Sequence, residues 1–393
     1  MPERAAWIPF LREIRKRPSE TNVQLTRLRL FNYRNLEELE ILPSPGTNLF
    51  SGSNGQGKTN LLESIYLLGY GKSFRTAIAK DCIRHGAAEC RVEGTVEHGH
   101  LARDLTITIA REEKRLFLFG KPAAIDEFVG NLHLLAFTHE HLNVVRGAPA
   151  DRRAFLDRAM ITLFPGHVSR LASYGRSLKQ RNRILSAARE GQGRPDEALL
   201  DSWDEALVSP GAKILWNRRS YAEQMKQELP QGLFGTEVLK IHYLSTAMEE
   251  DAGAAQIGEQ FRERLRKARA NDLRTGYTSV GPHRDDLKLF VNGKSLVDFG
   301  SAGQQRSSLL AMYFSQMEIH RKEHGYYPVF LVDDAEAELD DQRLRTFLEY
   351  LSERTQVFLS SAKEFLLSAM PAGARLYDVA SGRISQASVA KHE

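Results

Sequence analysis

The sequence predicts an α/β fold in which a mixed β-sheet with helices and an antiparallel β layer are interrupted by a helical lobe. Three observations carry this. A short strand leads into the glycine-rich run Gly52-Ser53-Asn54-Gly55-Gln56-Gly57-Lys58-Thr59 and on into an apolar helix. A second apolar strand, near the C-terminus, ends in the paired carboxylates Asp333 and Asp334. Between the two, from residue 149 to about residue 270, the apolar periodicity is mostly that of helices.

The glycine-rich run fits the P-loop pattern G-x-x-x-x-G-K-[ST] at every constrained position. Residues 43–46 read as a turn, 47–51 as a strand, and 58–68 as a helix with Leu61, Leu62, Ile65, Tyr66 and Leu68 on one face. The glycines let backbone N–H groups converge on phosphate oxygens, and the helix N-terminus adds its positive end. Lys58 then reaches the β- and γ-phosphates, and Thr59 holds Mg²⁺. A nucleotide-phosphate site follows from these residue types at this spacing.

Composition excludes little but bounds much. A chain of 393 residues is long enough for two or three lobes and a sizeable core. The net charge of +4 is too small by itself to point to nucleic acid, so the location of the basic residues matters more than their total. Cys82 and Cys90 lack metal-like spacing and read as reduced thiols, which fits a cytoplasmic protein. Residues 1–22 read as an N-terminal extension: their apolar run is interrupted by Pro9 and followed by basic residues, not by a signal-peptide cleavage site. No stretch of about eighteen apolar residues offers a membrane span.

In chain order, strand-like segments 24–31 and 36–42 flank Asn32-Tyr33-Arg34-Asn35. Alternating runs at 91–96, 105–109 and 115–119, with Gly120-Lys121 as a hairpin turn, predict the antiparallel layer. Residues 132–137 form a further buried strand ending at Thr138-His139-Glu140-His141. With the P-loop part, these segments make up the first part of the head, residues 23–148. The lobe, residues 149–275, carries predicted helices 151–163, 167–189 and 203–228, the last broken near Pro210. Arg152, Arg153, Arg158, Arg170, Arg176, Lys179, Arg181 and Arg183 concentrate positive charge at its start. Two readings of that concentration stand side by side: a solvated helical face, or a surface that meets DNA phosphates, with Arg152, Arg153, Lys179, Arg181 and Arg183 as the candidate contacts.

The second part of the head, residues 276–393, opens with strand 287–291, the hairpin signal Asn292-Gly293, and residues 296–299 pairing back. Ser301-Ala302-Gly303-Gln304 starts a helix to about residue 323. Strand 329–334, Glu338-Leu339-Asp340, a helix to residue 354, strand 356–360 and a final helix and strand then complete an αβαβ half typical of a parallel sheet.

Two carboxylates at the end of a buried strand are costly unless a cation is there, and Mg²⁺ supplies that charge. Asp333 is placed to hold the Mg²⁺ shell beside Thr59, and Asp334 to orient or deprotonate an attacking water, with Glu140 the next candidate for that role. Ser301 and Gly303 open a helix whose positive end could face a γ-phosphate. The order P-loop, S-x-G-Q, apolar-D-D, E-L-D is that of ABC-type ATPases, in which two heads close face to face over ATP.

Five blocks extend the likeness to a family. They are Asn32-Tyr33-Arg34-Asn35; the P-loop through Leu61-Leu62-Glu63-Ser64-Ile65-Tyr66 to Ser73-Phe74-Arg75; Arg152-Arg153-Ala154-Phe155-Leu156-Asp157 with Leu178-Lys179-Gln180-Arg181-Asn182; Gly281-Pro282-His283-Arg284-Asp285-Asp286-Leu287; and the signature with Asp333-Asp334 and Glu338-Leu339-Asp340. On these the chain resembles the RecF family of bacterial recombination-repair ATPases. The resemblance implies an ABC-type P-loop head with a helical lobe and no long coiled coil. It implies a weak, DNA-dependent ATPase that dimerises on ATP and binds double-stranded DNA near single-strand gaps and junctions, working with RecO and RecR to load RecA.

Carried onto this sequence, the family's nucleotide contacts fall on Arg34 and on Gly52, Ser53, Asn54, Gly55, Gln56, Gly57, Lys58, Thr59 and Asn60. Ser301, Gly303 and Gln304 fall at the γ-phosphate of the opposite protomer, and Asp340 in the loop that crosses the interface. Three positions differ from the family's habit. His139 stands where Pro is frequent before the acid, Ala337 replaces a frequent Ser before Glu338, and strand 357–360 runs into Ser361-Ala362 without the histidine many ABC ATPases place there. The last difference implies slow hydrolysis, a switch more than a motor. A structural DNA tether of the SMC type shares the head motifs, but it separates P-loop and signature by hundreds of heptad residues that this chain lacks. The ATPase subunit of a membrane transporter would need a much shorter gap and a transmembrane partner.

Overall fold

A computed structural model of the chain describes residues 22–164, 166–191, 196–230, 237–334, 339–362, 370–371 and 373–387; the side chains of His139, Gln386 and Ala387 are not included. The main elements, leaving out some single helical turns such as Ile125–Phe128 and Asn143–Arg146, are in order β1 (Gln24–Tyr33), β2 (Leu36–Ile41), β3 (Thr47–Ser51), α1 (Lys58–Tyr70), β4 (Glu89–His98), β5 (Leu101–Ala110), β6 (Lys114–Leu118), β7 (Lys121–Pro122) and β8 (Leu134–Phe137). Then come α2 (Pro149–Leu163), α3 (His167–Arg189), α4 (Glu197–Glu228), β9 (Leu239–Leu244), α5 (Ala254–Thr275), β10 (Asp286–Val291), β11 (Lys294–Ser295), a single helical turn α6 (Leu296–Phe299), and α7 (Ala302–His324). The chain continues through β12 (Val329–Asp333), α8 (Asp341–Ser352), β13 (Val357–Ser361), β14 (Arg375–Ala380) and β15 (Arg383–Ala387).

Two compact units result. Among the described residues, the head takes in those to His141 and those from Leu309, and the lobe takes in those from Leu142 to residue 230 and from Glu237 to Ser308. This division differs from the one expected at residues 149 and 275. The reason is pairing: β10 hydrogen-bonds along its whole length with β9, from Asp286 opposite Leu244 to Val291 opposite Leu239, so the strand after residue 275 belongs to the lobe.

The head contains two six-stranded sheets. One, ordered β2-β1-β4-β5-β6-β7, is antiparallel throughout. The other, β15-β14-β3-β13-β12-β8, is parallel except at its β15 edge. Helix α1 contacts strands of both sheets. It is therefore buried nearly all round, from Leu61 to Tyr70, where the sequence predicted one apolar face. Gly69 permits the approach: a Cβ there would sit 2.2 Å from Leu134 Cδ2 of β8. Wedged in this way, the helix fixes the P-loop at its N-terminus. Because the inner strands run parallel, the ends of β3, β13, β12 and β8 reach the same edge of the sheet, the usual place for a ligand crevice.

The lobe packs α3, α4 and α5 together, with a three-stranded sheet β11-β10-β9. Helix α4 runs unbroken through Pro210, against expectation. Leu207, Val208, Ile214 and Leu215 are buried on both sides of the proline, and a Cβ on Gly211 would come within 2.6 Å of Phe261 of α5. Burial of this face outweighs the lost hydrogen bond, a cost of about 3 kcal/mol. Strand β9 was hidden inside the expected helical stretch.

Two turns also differ from expectation. The hairpin after β6 turns on Phe119 and Gly120, at φ 52° and 72°, while Lys121 already pairs with Leu118. After Asn292-Gly293 only Lys294 and Ser295 pair back, because Ser295 caps the turn α6 by accepting from the Asp298 N–H. The stretch after strand 356–360, where a final helix was expected, lies largely outside the described residues, as do Ala337, Glu338 and residues 1–21. Among the described residues no helix is long and apolar enough to cross a membrane.

Candidate functional site

The P-loop bridges β3 and α1 as expected. Gly52 takes φ 142° and lies so close to β14 that a Cβ would stand 2.3 Å from the Val379 carbonyl oxygen, so no other residue fits. The Lys58 ammonium curls over its own loop and donates to the carbonyls of Gly52 at 2.6 Å and Ser53 at 2.9 Å. The loop is braced from outside. Gln56 accepts through its side chain from the Ser381 N–H at 2.6 Å and through its carbonyl from the Gly382 N–H at 3.2 Å, so the turn between β14 and β15 holds it.

A cavity of about 250 Å³ opens at this edge, lined by Asn54, Gly55, Gly57, Lys58, Thr59, Asn60, Arg75, Asp334 and Ser360. At its floor the Thr59 hydroxyl donates to Asp333 Oδ1 at 3.0 Å, and the Ser360 hydroxyl donates to the same oxygen at 2.7 Å. Asp334 takes φ 52°, and its N–H donates to Ser360 Oγ at 3.1 Å. Ser360, at the end of β13 between the P-loop strand and the carboxylate strand, thus ties Asp333 and Asp334 together. It was not among the residues singled out from the sequence, although the end of a central parallel strand is where such a residue belongs. No histidine follows it: Ser361 and Ala362 do.

Arg75 was also missed as a site residue, although its block was noted. Its guanidinium donates to Asn60 Oδ1 at 2.6 Å, and Asn60 in turn donates to Asn35 Oδ1 at 2.7 Å. Arg34, expected at the nucleotide, is occupied elsewhere. It forms a bidentate pair with Glu63 of α1, at 2.9 and 2.6 Å, and donates to the Asp81 carbonyl at 2.6 Å. Burial alone would lower its pKa, but Glu63 holds it above the ordinary guanidinium value. Arg34 does not reach the described wall of the cavity, so its observed contacts brace α1. Glu140 follows β8 at the correct edge of the sheet but is exposed and likewise absent from that wall.

The signature segment lies in the lobe and forms a capping box at the start of α7. Ser301 Oγ accepts from the Gln304 N–H at 3.2 Å, and Gln304 Oε1 accepts from the Ser301 N–H at 2.9 Å. Gln304 Nε2 donates to Glu237 at 2.8 Å. Ser301 and Ala302 are exposed at the positive end of a 23-residue helix. Asp340, in the head, caps α8 by accepting from the Arg343 N–H at 3.0 Å.

The basic helices of the lobe require the main correction. Arg152 is 3% exposed and pairs with Asp286 through two contacts of 2.6 and 3.1 Å. Arg181 is fully buried, with Asp204 at 2.5 Å, Asp272 at 2.7 Å and the Thr278 hydroxyl at 2.9 Å. Neither can meet a DNA phosphate, because each guanidinium is spent inside the lobe. Arg153 is half-buried and donates to the Asp285 carbonyl at 2.7 Å. The remaining candidates, Lys179 and Arg183, are exposed, and with exposed Arg176 they form an i, i+3, i+7 stripe on α3. The neighbouring Asn182 accepts from the Thr278 N–H and hydroxyl, and His283 Nδ1 meets the Tyr174 hydroxyl at 2.6 Å. The Gln180-Arg181-Asn182 and Gly281 to Asp286 blocks therefore contribute to the internal polar network of the lobe.

Strand, P-loop, buried helix, strand-end carboxylates and a serine-capped signature helix define an ABC-type P-loop ATPase. The family described as RecF/RecN/SMC N terminal domain matches residues 24–385. A protein of Geotalea daltonii named DNA replication and repair protein RecF is 35% identical over 345 residues, covering 86% of this chain and 93% of its own. A solved structure of the recombination mediator protein RecF with ATP, in the RecFOR pathway, superposes with TM-score 0.84 at 29% identity, over 94% of this chain and 99% of that one. The Smc head domain of Pyrococcus furiosus shares the fold at TM-score 0.53 and 13% identity, over 93% of this chain and 96% of that chain. The chain belongs to the RecF family.

Proposed function

We propose that this protein is an ATP-switched DNA-binding protein of recombinational repair and replication-fork maintenance. In this reading it closes as a homodimer over ATP on double-stranded DNA near single-strand gaps and junctions, and promotes RecA loading through RecO and RecR. The observation that carries the reading is the cavity lined by Lys58, Thr59, Asp334 and Ser360, where the Thr59 hydroxyl and the strand-end Ser360 hydroxyl share one oxygen of Asp333. Oxygen ligands of this kind suit Mg²⁺, which Thr59 and Asp333 would hold. When bound, the ion neutralises charge on the β- and γ-phosphate oxygens.

The rest is the work of the chain's own groups. Lys58 exchanges its loop carbonyls for phosphate oxygens. Arg75, steadied by Asn60, is a second cation at the wall of the cavity. Asp334, held by Ser360, orients the attacking water and accepts its proton. With no histidine after β13, hydrolysis is slow and ends the bound state without driving a motor. The Ser301 hydroxyl, turned now to its own cap, would turn to the γ-phosphate of the partner head, giving one signature and one P-loop per composite site. The exposed stripe Arg176, Lys179 and Arg183 supplies phosphate-backbone contacts to DNA.

Mixing two inactive variants tests the composite site. Lys58→Met and Ser301→Arg should each lose nearly all hydrolysis alone. A mixed dimer pairs the intact P-loop of one with the intact signature of the other, so hydrolysis returns to at most about half the wild-type value per dimer if sites act independently. Absence of recovery in dimers shown to be mixed would mean that the signature serves its own chain.

A further inference from the structure

Away from the cavity, three histidines of the head converge from two segments: His133, just ahead of β8, and His320 and His324 in the last turns of α7. Four residues apart, the two on α7 share one helix face. One ligand-capable atom of each lies within 4.8 Å of the others. His133 Nδ1 stands 2.8 Å from His320 Nε2. The ring of His324 has its centroid 4.6 Å from both neighbours. His324 Nε2 is buried and makes no hydrogen bond with the described residues.

The outer contacts of these rings are as informative as the inner ones. His320 donates through Nδ1 to the Tyr326 carbonyl at 2.9 Å, which leaves Nε2, the atom facing His133 Nδ1, as an acceptor lone pair. The Gly130 backbone hydrogen-bonds the His133 ring, and the Tyr326 hydroxyl lies 3.1 Å from His133 Nδ1. Imidazoles that bind metals are held in this way, with the outer nitrogen on a carbonyl and the inner one presented to the ion. Burial also keeps the rings uncharged, His133 being pushed down to about 3 and His320 well below the ordinary value. Uncharged imidazole is the ligating form. A buried orphan nitrogen is costly in a plain stack of neutral rings, whereas a shared cation satisfies all three.

We propose that His133, His320 and His324 form a binding site for a zinc-class divalent ion, with the Tyr326 hydroxyl or a water as fourth ligand. Zn–N bonds of about 2.0–2.1 Å at tetrahedral angles place ligand nitrogens about 3.3 Å apart, so small side-chain rotations from the observed cluster suffice. Three imidazoles without a thiolate favour zinc over magnesium or calcium, which take oxygen ligands. The ion would fasten the end of α7 to the approach of β8, a structural role separate from the phosphate site.

Cobalt(II) titration of the full chain, freed of metal by chelation and desalting, tests this. One equivalent should give the intense visible bands of tetrahedral cobalt, zinc should bleach them, and zinc should raise the Tm. His324→Gln, at a half-buried helix end, should weaken binding at least tenfold and leave nucleotide binding unchanged; His133→Asn should do the same to the bands. Weakly coloured octahedral cobalt together with no zinc-dependent rise in Tm would overturn the site, as would equal binding by wild type and both variants. The wild-type spectrum decides even if a variant folds poorly.

Discussion

The head and the lobe use the same residue types to opposite ends. In the head, Lys58, Thr59, Arg75, Asp334 and Ser360 are turned to one cavity, and the bonds of Lys58 to the Gly52 and Ser53 carbonyls are of a kind that an arriving phosphate replaces. In the lobe, Arg152, Arg181 and Arg218 are turned inward and closed off by Asp286, Asp204, Asp272 and Asp157. A guanidinium in a sequence block is a binding group only if the fold leaves its carboxylate partners elsewhere. Here the fold supplies them from residues 23 to 134 positions away.

The sharpest way to break the contrast is to remove one cation from each unit. Lys58→Met should abolish ATP-dependent association and lower hydrolysis by about 10²–10³-fold, the scale of losing a preorganised donor at developing charge. It should leave unfolding of the lobe where it is. Steady-state hydrolysis, light scattering with and without ATP, and denaturant unfolding read these outcomes. Wild-type association by Lys58→Met would remove the P-loop from the switch.

Arg181→Met is the counterpart in the lobe. It leaves Asp204 and Asp272 buried without their shared guanidinium, a loss of about 3–5 kcal/mol that should appear as a lower denaturation midpoint. Adding Asp272→Asn should return part of it. Nucleotide affinity should not change. If the single variant kept wild-type stability and lost only DNA affinity, Arg181 would return to the DNA surface, as the sequence first allowed.

These two residues also mark what the sequence could tell. The P-loop and the strand-end carboxylates are legible because their chemistry is local: a few consecutive residues specify turn, strand end and ligand at once. Arg181 looks like its exposed neighbours Lys179 and Arg183, and only tertiary contacts with Asp204 and Asp272 make it a core residue. Ser360 and Arg75 were passed over for a related reason, since nothing in their immediate sequence says that they face Asp333 and Asn60. Strand β9 has an alternating pattern, Leu239-Lys240-Ile241-His242-Tyr243, but one such run amid long helices is weak until β10 is seen beside it. The helical continuity of α4 through Pro210 was likewise decided by burial against α5, which outweighs local propensity.

Acid sharpens the comparison by loading the lobe's buried network. Burial pushes His283 down to about 4 from 6.5, so it stays neutral in the folded lobe while the unfolded chain takes up a proton below about 6.5. Stability from this group is therefore lost as pH falls from about 6.5 to about 4, by an amount on the order of 3 kcal/mol. Asp157 behaves in the same direction at lower pH. Burial alone would raise it, but Arg218 and His167 hold it at about 2, so its share is lost as pH falls from about 3.8 towards 2. Denaturant unfolding at a series of pH values should show a shallower slope in the first window in His283→Asn, the remainder coming from His133 and His320 of the head, which burial also keeps neutral. An unchanged slope between pH 6.5 and 4 in that variant would place the charge uptake on other groups.

The smallest effect is expected at the one part of the basic cluster that the lobe leaves outside. Arg176, Lys179 and Arg183 lie on one exposed face of α3. If each meets a phosphate, neutralising all three with glutamine should reduce the slope of log affinity against log salt by about 2–3, since each contact contributes about 0.9. Affinity should fall to a similar extent for unrelated DNA sequences, because these contacts read no bases. The proper control is internal to the contrast: Arg152→Met, measured under conditions where it remains folded, should weaken stability and leave the salt slope as it is. A slope that drops for Arg152→Met but not for the surface triple would mean that the lobe opens to bind DNA and exposes its paired arginines. A slope unchanged in both would assign α3 to a solvated face and move the DNA surface to another part of the molecule.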